Sequence, residues 1–402
     1  MPFSNTSQVK AALPLTQAMA ARTATPAALA QLLQDVRAQS LALFDSYVAA
    51  GSLTVPYNEI FNPPLWELGH VGWFQEYWIA RNQQRHRGIA CDPVANNART
   101  ASILPQANDW YDSSLVSHAS RWHLAYLQAV DCKQYLASTL QETLNHLQVL
   151  ADNDCTDDAA LYFYRLALLH EAMHAEAAIY MAQALGMPIP NASIFASSAA
   201  KFGTPNAQIT VPAQRIVLGS SNADGFSFDN ELQAASTEVT AFSIDAHAVS
   251  WEQYLPFVEA TNRALPRYVV RTATGYEAPI FGRLQPLPLH AAAVHLTYAD
   301  AADWCAWAKR RLPTEAEWEC AAMTEPGFNW GEVWEWTATK FAPYAGFVAH
   351  PYLDYSAPWF GTRMVLRGAC AATLPIMRHP KYRNYFTPER NDIYAGFRSC
   401  AL

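Results

Sequence analysis

The pattern of apolar residues changes near residue 190, and this change constrains the fold more than any other feature of the chain. Residues 26–185 carry four long segments in which apolar side chains recur every three or four positions, as on one face of an α-helix. The first begins at Thr25-Pro26, an N-cap followed by proline, and ends before Gly51. The others open at Asn62-Pro63, span about 118–150, and run from about Asp157 to Leu185, before Gly186 and Pro188. Four helices of this length predict an antiparallel bundle.

The chain after about residue 210 instead shows short β-type runs (RIVLGS, TEVTAFSID, TRMVLRG) and one clear helical segment, YADAADWCAWAKRR. The stretch MPIPNASIFASSAAKFGTPNAQ between the two parts is typical of a linker. About thirty residues join the second and third helices, and structureless connections of that length are usually functional or disordered. We therefore predict an α+β protein with two domains, a four-helix bundle over 1–195 and an irregular β-rich domain over 196–402.

Composition narrows the class of protein. The 402 residues carry a formal net charge of −8, which argues against a nucleic-acid binder. Seven cysteines, an odd number without C-x-x-C spacing, indicate reduced thiols rather than a disulfide framework. No segment has the apolar core of a secretory signal or the length of a membrane span. We expect a cytoplasmic protein with no nucleic-acid or membrane partner.

The fourth helical segment contains HEAMH, a match to the H-E-x-x-H pattern of zinc peptidases. His170 and His174 lie four residues apart on the apolar face, where two imidazoles can share one metal ion. His70 lies on the bundle-facing side of the second helix, so the three histidines form a plausible facial ligand set. Such a set suits Zn(II) or Fe(II), and the alternative is buried, hydrogen-bonded histidines without a metal. Gly69 and Gly72 beside His70 suggest close approach of a backbone or a ligand.

The peptidase interpretation fails on the residues around the motif. Metzincins place glycine and a third histidine at fixed offsets, where this chain has Ala177 and Tyr180. Other zinc peptidases need a downstream carboxylate, and residues 177–223 contain no Asp or Glu. Glu176 lies off the ligand face, where it orients another group or is solvated.

The second half carries blocks that resemble the formylglycine-generating-enzyme fold, a C-type-lectin-like fold: RLPTEAEWE, GEVWEWT, VLRGACAA and YAGFRSC. Enzymes of that family use a paired-cysteine copper site, but Cys370 has no partner in the block that follows it. The helical half, with ELGHVGWF and LLHEAMHAEA, resembles a DinB-like bundle. Together the two halves resemble the ergothioneine sulfoxide synthase family. That resemblance implies Fe(II) held by His70, His170 and His174, O₂ as co-substrate, and a chalcogen joined to C2 of the imidazole of hercynine (trimethylhistidine).

Within that family, NPPLWELGHVGWFQEYWIARN is most similar to the selenoneine synthase branch, which uses a selenosugar in place of γ-glutamylcysteine. The ergothioneine branch usually has an acidic residue, which meets the amine of the dipeptide, at the position of Phe386. The predicted function is therefore C–Se bond formation between hercynine and a selenosugar. The alternative is C–S bond formation with γ-glutamylcysteine or cysteine, giving an ergothioneine sulfoxide.

The same resemblance assigns further site residues. It implies that Tyr352 donates a proton and that Tyr355 lies nearby, since a Tyr hydroxyl stays protonated at neutral pH. The alternative to this catalytic role is that Tyr352 and Tyr355 are two surface tyrosines in a loop. The remaining predicted positions are Asn384 and Tyr385 for hercynine contact, Phe386 and Arg390 on the chalcogen-donor side, and Trp110 and Tyr111 closing over the site.

Two hypotheses from other classes remain. One is a zinc hydrolase, which the missing ligands disfavour. The other is a metal-free ligand-binding protein on a lectin-like domain, which leaves the three inward histidines unexplained. Trp334 and Trp336 in GEVWEWT are expected in the core of the second domain.

Overall fold

The computed structural model describes residues 17–192, 207–232 and 234–402. The first half is helical, and its α-helices are α1 Gln17–Arg22, α2 Pro26–Ala49, α3 Pro64–Gln75, α4 Ala107–Tyr111, α5 Ala129–Asp152 and α6 Asp158–Leu185. The long helices α2, α3, α5 and α6 pack on one another around a shared apolar core. The predicted bundle is confirmed.

Local signals explain where these helices begin and end. The Thr25 hydroxyl accepts from the Ala28 amide, and the Asp157 carboxylate accepts from the Ala159 amide at the start of α6. Gly186 ends α6 in the left-handed conformation, with φ of 64°. The sequence predicted each of these ends, because caps and stop signals are local interactions.

The connection between α3 and α5 differs from the prediction. It is not structureless, since it contains α4 and two 3₁₀ turns, Arg85–Ala90 and Ala119–Trp122. The predicted third helix begins at Ala129 rather than near residue 118. Helix α3 continues into a π-helical turn, Glu76–Ala80.

The second half combines small sheets with short helices. Its strands are β1 Gln208–Val211, β2 Gln214–Leu218, β3 Ala235–Val239, β4 Phe242–Asp245, β5 Val270–Thr272, β6 Gly275–Ile280, β7 Arg283–Pro286, β8 Arg310–Arg311, β9 Trp334–Lys340, β10 Met364–Gly368, β11 Asn384–Phe386, β12 Ala395–Gly396 and β13 Cys400–Ala401. The four-stranded sheets have the orders β1-β4-β13-β8 and β11-β10-β9-β12, beside the hairpin β2-β3 and the meander β5-β6-β7. The predicted β-rich domain is confirmed.

The prediction of a single helix in this half was wrong. Besides α8 Tyr298–Trp307, the structure has α7 Trp251–Thr261 and α9 Glu315–Thr324. Most of the predicted linker lies outside the described residues, so the boundary at 195/196 stays a prediction.

The two halves share one apolar core and several buried polar contacts. Arg22 at the end of α1 forms a bidentate ion pair with Glu231, and both side chains are buried. The Tyr162 hydroxyl on α6 is hydrogen-bonded to Nδ1 of His350, at 3.0 Å. None of the helices in the described ranges is both long and apolar enough to cross a membrane.

Candidate metal centre and active site

Helices α3 and α6 bring His70, His170 and His174 together, as the sequence predicted. One ligand atom from each imidazole lies within 4.8 Å of the other two. Nε2 of His170 lies 3.2 Å from Nε2 of His174, and His70 and His170 are each only 2 % exposed. The three rings thus converge on one point between the helices.

In two of these rings, those of His70 and His174, the Nδ1 atom forms a hydrogen bond with the protein. Nδ1 of His70 donates to the carbonyl oxygen of Tyr111 at 2.7 Å, and Nδ1 of His174 donates to the carboxylate of Glu67. Because both acceptors lack a proton, each ring carries its hydrogen on Nδ1 and presents the lone pair of Nε2. The ring of His170 stacks on Phe74, with centroids 3.5 Å apart.

The electrostatics of the site favour neutral imidazoles, which is the form that binds metals. Burial, with the neighbouring His174, lowers the pKa of His70 to about 3. Burial also lowers the pKa of His170 well below its usual value. Burial alone would raise the pKa of Glu67, but the electrostatic interaction and hydrogen bond with His174 outweigh burial and hold that pKa at about 2. Three imidazole nitrogens, one of them on a ring held by a carboxylate, fit a divalent metal such as Zn(II) or Fe(II).

Gly69 and Gly72 of α3 make room for side chains, and not for the backbone or ligand that the sequence suggested. A Cβ on Gly69 would lie 2.2 Å from the ring of Tyr111, and one on Gly72 would lie 2.9 Å from Leu136. The close approach is therefore to side chains, rather than to a backbone or a ligand. Gly69 lets Tyr111 pack against α3, where its carbonyl reaches His70.

Tyr352 lies beside the histidines. Its ring centroid is 5.0 Å from that of Phe74 and 6.1 Å from that of His170. Tyr355 is buried, with its hydroxyl 3.2 Å from the Tyr382 hydroxyl. Burial raises the pKa of both Tyr352 and Tyr355, so both hydroxyls keep their protons at neutral pH.

A cavity of about 250 Å³ begins at Glu67 and Met173, next to the histidines, and lies between the two halves of the chain. The first half contributes Asn62, Glu67, Met173, Glu176 and Tyr180, and the second half contributes Trp334, Tyr382, Asn384, Phe386, Arg390 and Asp392. Each half therefore supplies one wall, and neither forms the cavity alone.

Three of the predicted substrate residues, Asn384, Phe386 and Arg390, line this cavity. Arg390 is not free, because its guanidinium binds the Asp392 carboxylate at 2.5 and 2.7 Å. The ring of Tyr385 instead stacks on Phe341 and its hydroxyl donates to the carbonyl of Tyr355.

Trp110 and Tyr111 do not close over the cavity as predicted, since neither lines it. Tyr111 is fully buried beside α3, with its hydroxyl accepting from the Leu127 amide at 3.2 Å. The carbonyl of Trp110 accepts from the indole of Trp66 at 2.6 Å. Both residues therefore act through their backbone carbonyls, Tyr111 on His70 and Trp110 on Trp66.

Sequence reasoning missed several residues at the cavity. Trp334 lies in the core as predicted, but its indole also donates to the Glu176 carboxylate at 2.6 Å at the cavity wall. Burial raises the pKa of Glu176 to about 7, so this side chain is not solvated. Glu67 was also missed, although its position one turn before His70 on α3 is a usable signal. Trp336 does lie in the core, with its indole donating to the Leu296 carbonyl.

Comparisons with known proteins agree with the two-part architecture. Residues 32–178 match the DinB superfamily, and residues 195–330 match the sulfatase-modifying factor enzyme 1-like domain. A hercynine oxygenase of Mycolicibacterium smegmatis is 27% identical, over 85% of this chain and 91% of its own. The chain is similar to hercynine oxygenases along most of its length. The hercynine oxygenase of Mycobacterium tuberculosis is 28% identical, over 93% of this chain and 98% of its own.

A formylglycine-generating enzyme of Streptomyces coelicolor is 24% identical, over 54% of this chain and 96% of its own. Similarity to hercynine oxygenases, by contrast, extends across both halves and so includes the histidine-bearing helices. The fold prediction, a DinB-like helical domain followed by a β-rich domain of the formylglycine-generating-enzyme type, is confirmed.

Proposed function

We propose that this protein is an O₂-dependent synthase that joins selenium from a selenosugar to C2 of the hercynine imidazole. The observation that carries the proposal is the set of three converging histidines, beside the Glu67 wall of a cavity built by both halves, in a chain similar to hercynine oxygenases. In balance, the imidazole C2–H and the Se–H bonds break and a C–Se bond forms. One atom of O₂ leaves as water and the other stays on selenium.

His70, His170 and His174 would hold Fe(II) through Nε2. When bound, the iron supplies open positions for substrates and the redox capacity to use O₂. The protein fixes the ligands: the Tyr111 carbonyl orients His70, and the Glu67 carboxylate orients His174.

Hercynine has an imidazole, a carboxylate and a quaternary ammonium, and the cavity has complements to the two charged groups. The rings of Trp334 and Tyr382 offer faces for the ammonium, beside the carboxyl group of Glu176. The Asn384 amide offers a donor to the substrate carboxylate. In this proposal Tyr352, beside His170, would deliver a proton to the reduced oxygen, and its raised pKa supports this role because the hydroxyl keeps its proton.

The far wall supports a sugar donor. The Arg390 guanidinium lies 4.9 Å from the ring of Phe386 and is neutralised by Asp392, which is 3 % exposed. An apolar ring beside a paired guanidinium and carboxylate can contact the C–H face and the hydroxyls of a sugar. Among the described residues, this wall has no unpaired carboxylate that could meet an ammonium group. The alternative donor is a thiol such as γ-glutamylcysteine. It would use the same iron chemistry, and only the contact between the donor and the wall of Phe386, Arg390 and Asp392 would differ.

Anaerobic loading with Fe(II), followed by O₂ and hercynine, tests both donors in separate reactions with a selenosugar and with γ-glutamylcysteine. Mass spectrometry reads the adducts, and His170→Ala is the metal-site control. A selenium adduct alone, lost in the variant, supports the proposal. A sulfur adduct from γ-glutamylcysteine assigns the thiol alternative. Iron binding without any adduct contradicts the substrate assignment while leaving the metal site intact.

A further inference from the structure

A second cavity, of about 90 Å³, lies away from the histidine triad. It is enclosed by the end of α6, the start of α7 and the β6–β7 hairpin, and we term it the His295 pocket. Its aromatic and polar lining residues are Gln183, Trp251, Tyr268, His295 and Tyr394, and its other walls are Val, Ala, Pro, Ile and Leu side chains. None of the lining residues is Asp, Glu, Lys or Arg, so a charged occupant would lose hydration without gaining a partner.

His295 is held in this pocket by an unusual backbone. Its φ is 62°, in the left-handed region that most residues avoid, and its side chain is 6 % exposed. The imidazole lies between the rings of Tyr268 and Tyr394, with centroids 4.6 and 4.7 Å away. One ring nitrogen is hydrogen-bonded to the backbone at Ile393, and burial lowers the pKa of His295 to about 4. The ring is therefore neutral at neutral pH, and in the tautomer with the hydrogen on Nε2 its Nδ1 presents a lone pair.

Two buried polar atoms of the pocket have no hydrogen-bond partner among the described residues: Nδ1 of His295 and the hydroxyl of Tyr268. Buried polar atoms in folded proteins are nearly always paired, because an unpaired group keeps the full cost of its lost hydration. The glutamine of the pocket does not supply the missing bonds. Its amide donates to Pro279 and accepts from the Phe281 amide.

We propose that the His295 pocket binds a small neutral azole, a five-membered aromatic ring whose N–H donates to Nδ1 of His295. The ring nitrogen beside that N–H accepts from the Tyr268 hydroxyl, and the apolar walls cover the ring faces. Water can satisfy the two polar atoms, but it leaves the aromatic and aliphatic walls without contacts. The pocket is smaller than a cavity of roughly 150 Å³ that binds benzene, and this favours a ring smaller than a six-membered one.

The pocket is linked to the main cavity through aromatic contacts. The Tyr394 ring is 5.7 Å from that of Tyr180, whose hydroxyl accepts from the Trp334 indole at 3.1 Å. An occupant thus lies two rings away from the wall that carries Glu176. The proposed site does not depend on the function proposed above, since it contains no residue of the histidine triad.

Ligand-detected NMR with the full chain tests the site, with pyrazole as probe and furan as a ring of similar size that lacks the N–H. The His170→Ala variant is used as the starting protein so that pyrazole has no complete metal centre to bind. Pyrazole is expected to bind at one site, at least tenfold more tightly than furan. Tyr268→Phe, which removes only the hydroxyl, is expected to raise the pyrazole Kd about threefold to tenfold. Tyr276→Phe, on strand β6 and outside the pocket, is expected to leave the pyrazole Kd unchanged.

His295→Gly provides a second test, because glycine adopts positive φ freely and carries no side-chain acceptor. It is expected to abolish the preference for pyrazole over furan, while circular dichroism verifies that the variant is folded. Equal binding of the two probes to the starting protein overturns the proposal. So does pyrazole binding that survives both Tyr268→Phe and His295→Gly, or no pyrazole binding at millimolar concentration.

Discussion

Glu67 tests how the protein holds its metal ligands, since its carboxylate accepts the Nδ1 hydrogen of His174. Glu67→Gln keeps the size of the side chain but removes its charge. We expect the affinity for Fe(II) or Zn(II) to fall on the order of tenfold to a hundredfold, because the carboxylate orients the imidazole and raises its basicity. Competition with a chromophoric chelator under anaerobic conditions measures this affinity.

Glu59→Gln is the matched control, since Glu59 is an exposed carboxylate eight residues earlier in the chain. Unchanged metal affinity in Glu67→Gln, or an equal loss in the control, would contradict the role of the carboxylate. Circular dichroism distinguishes a local effect from unfolding.

The metal ligands were predictable from sequence, whereas their supports were only partly so. His170 and His174 have helical spacing on an apolar stripe, which is a local property of the chain. Glu67 has the same kind of spacing from His70, one turn away. Tyr111 acts through its carbonyl oxygen from a connection 41 residues further along, and no periodic pattern encodes where such a backbone passes.

At the scale of elements, α3 can pack closely against Tyr111 of α4 because Gly69 has no side chain. Gly69→Ala places a methyl group 2.2 Å from the Tyr111 ring, so the ring or the helix must shift. We expect the free energy of unfolding to fall by about 1–3 kcal/mol, as in other overpacked cores. Metal affinity is expected to fall too, because Tyr111 carries the carbonyl that orients His70. Urea unfolding and chelator competition measure the two effects.

Gly327→Ala is the control, because its new Cβ meets only Ile209, at 3.8 Å, which is ordinary contact. We expect it to change the unfolding free energy by less than about 0.5 kcal/mol. A Gly69→Ala protein as stable as this control would show that Tyr111 is not tightly packed on α3.

Helices of the second half show what sequence patterns carry and what they miss. Both α7 and α9 begin with a capping box, Ser250 with Gln253 and Thr314 with Glu317, which is a readable start signal. They were missed because α7 contains Pro256, which is unusual inside a helix, and α9 buries several faces, which hides the apolar period. Sheet order was not predictable at all, since β13 pairs with β4 and β8 across long sequence separations.

At the scale of the molecule, the buried pair of Arg22 and Glu231 joins the two halves. Arg22→Met leaves the Glu231 carboxylate buried without its partner, and we expect a loss of about 3–5 kcal/mol in unfolding free energy. Adding Glu231→Gln is expected to restore part of that loss, since the remaining side chain carries no charge. Guanidinium unfolding of the single and double variants measures both values.

The exposed pair of Arg215 and Glu238 is the control, with side chains 66% and 79% exposed. Arg215→Met is expected to cost less than about 1 kcal/mol, because water screens an exposed ion pair. An Arg22→Met protein no less stable than this control would mean that the buried pair contributes nothing to the contact between the halves.

The stability of the contact between the two halves is expected to depend on pH, because the buried His350 is hydrogen-bonded to Tyr162 of α6. Burial lowers the pKa of His350 from its usual 6.5 to about 4. Between these two values the unfolded chain binds the proton and the folded protein does not, so stability is lost as the pH falls through this window. Each pKa unit corresponds to about 1.4 kcal/mol, which sets the loss at about 3 kcal/mol or less.

His350→Asn isolates this contribution, since its amide nitrogen takes the place of Nδ1 and does not titrate. We expect the wild-type unfolding free energy to fall relative to the variant as the pH drops from about 6.5 to 4, and the difference to be constant above pH 7. His290→Asn, which removes an exposed imidazole with a side chain 67% exposed, is expected to follow the wild type. Parallel curves for wild type and His350→Asn would mean that His350 is protonated equally easily in both states. In that case, the contact with α6 would not keep the imidazole neutral.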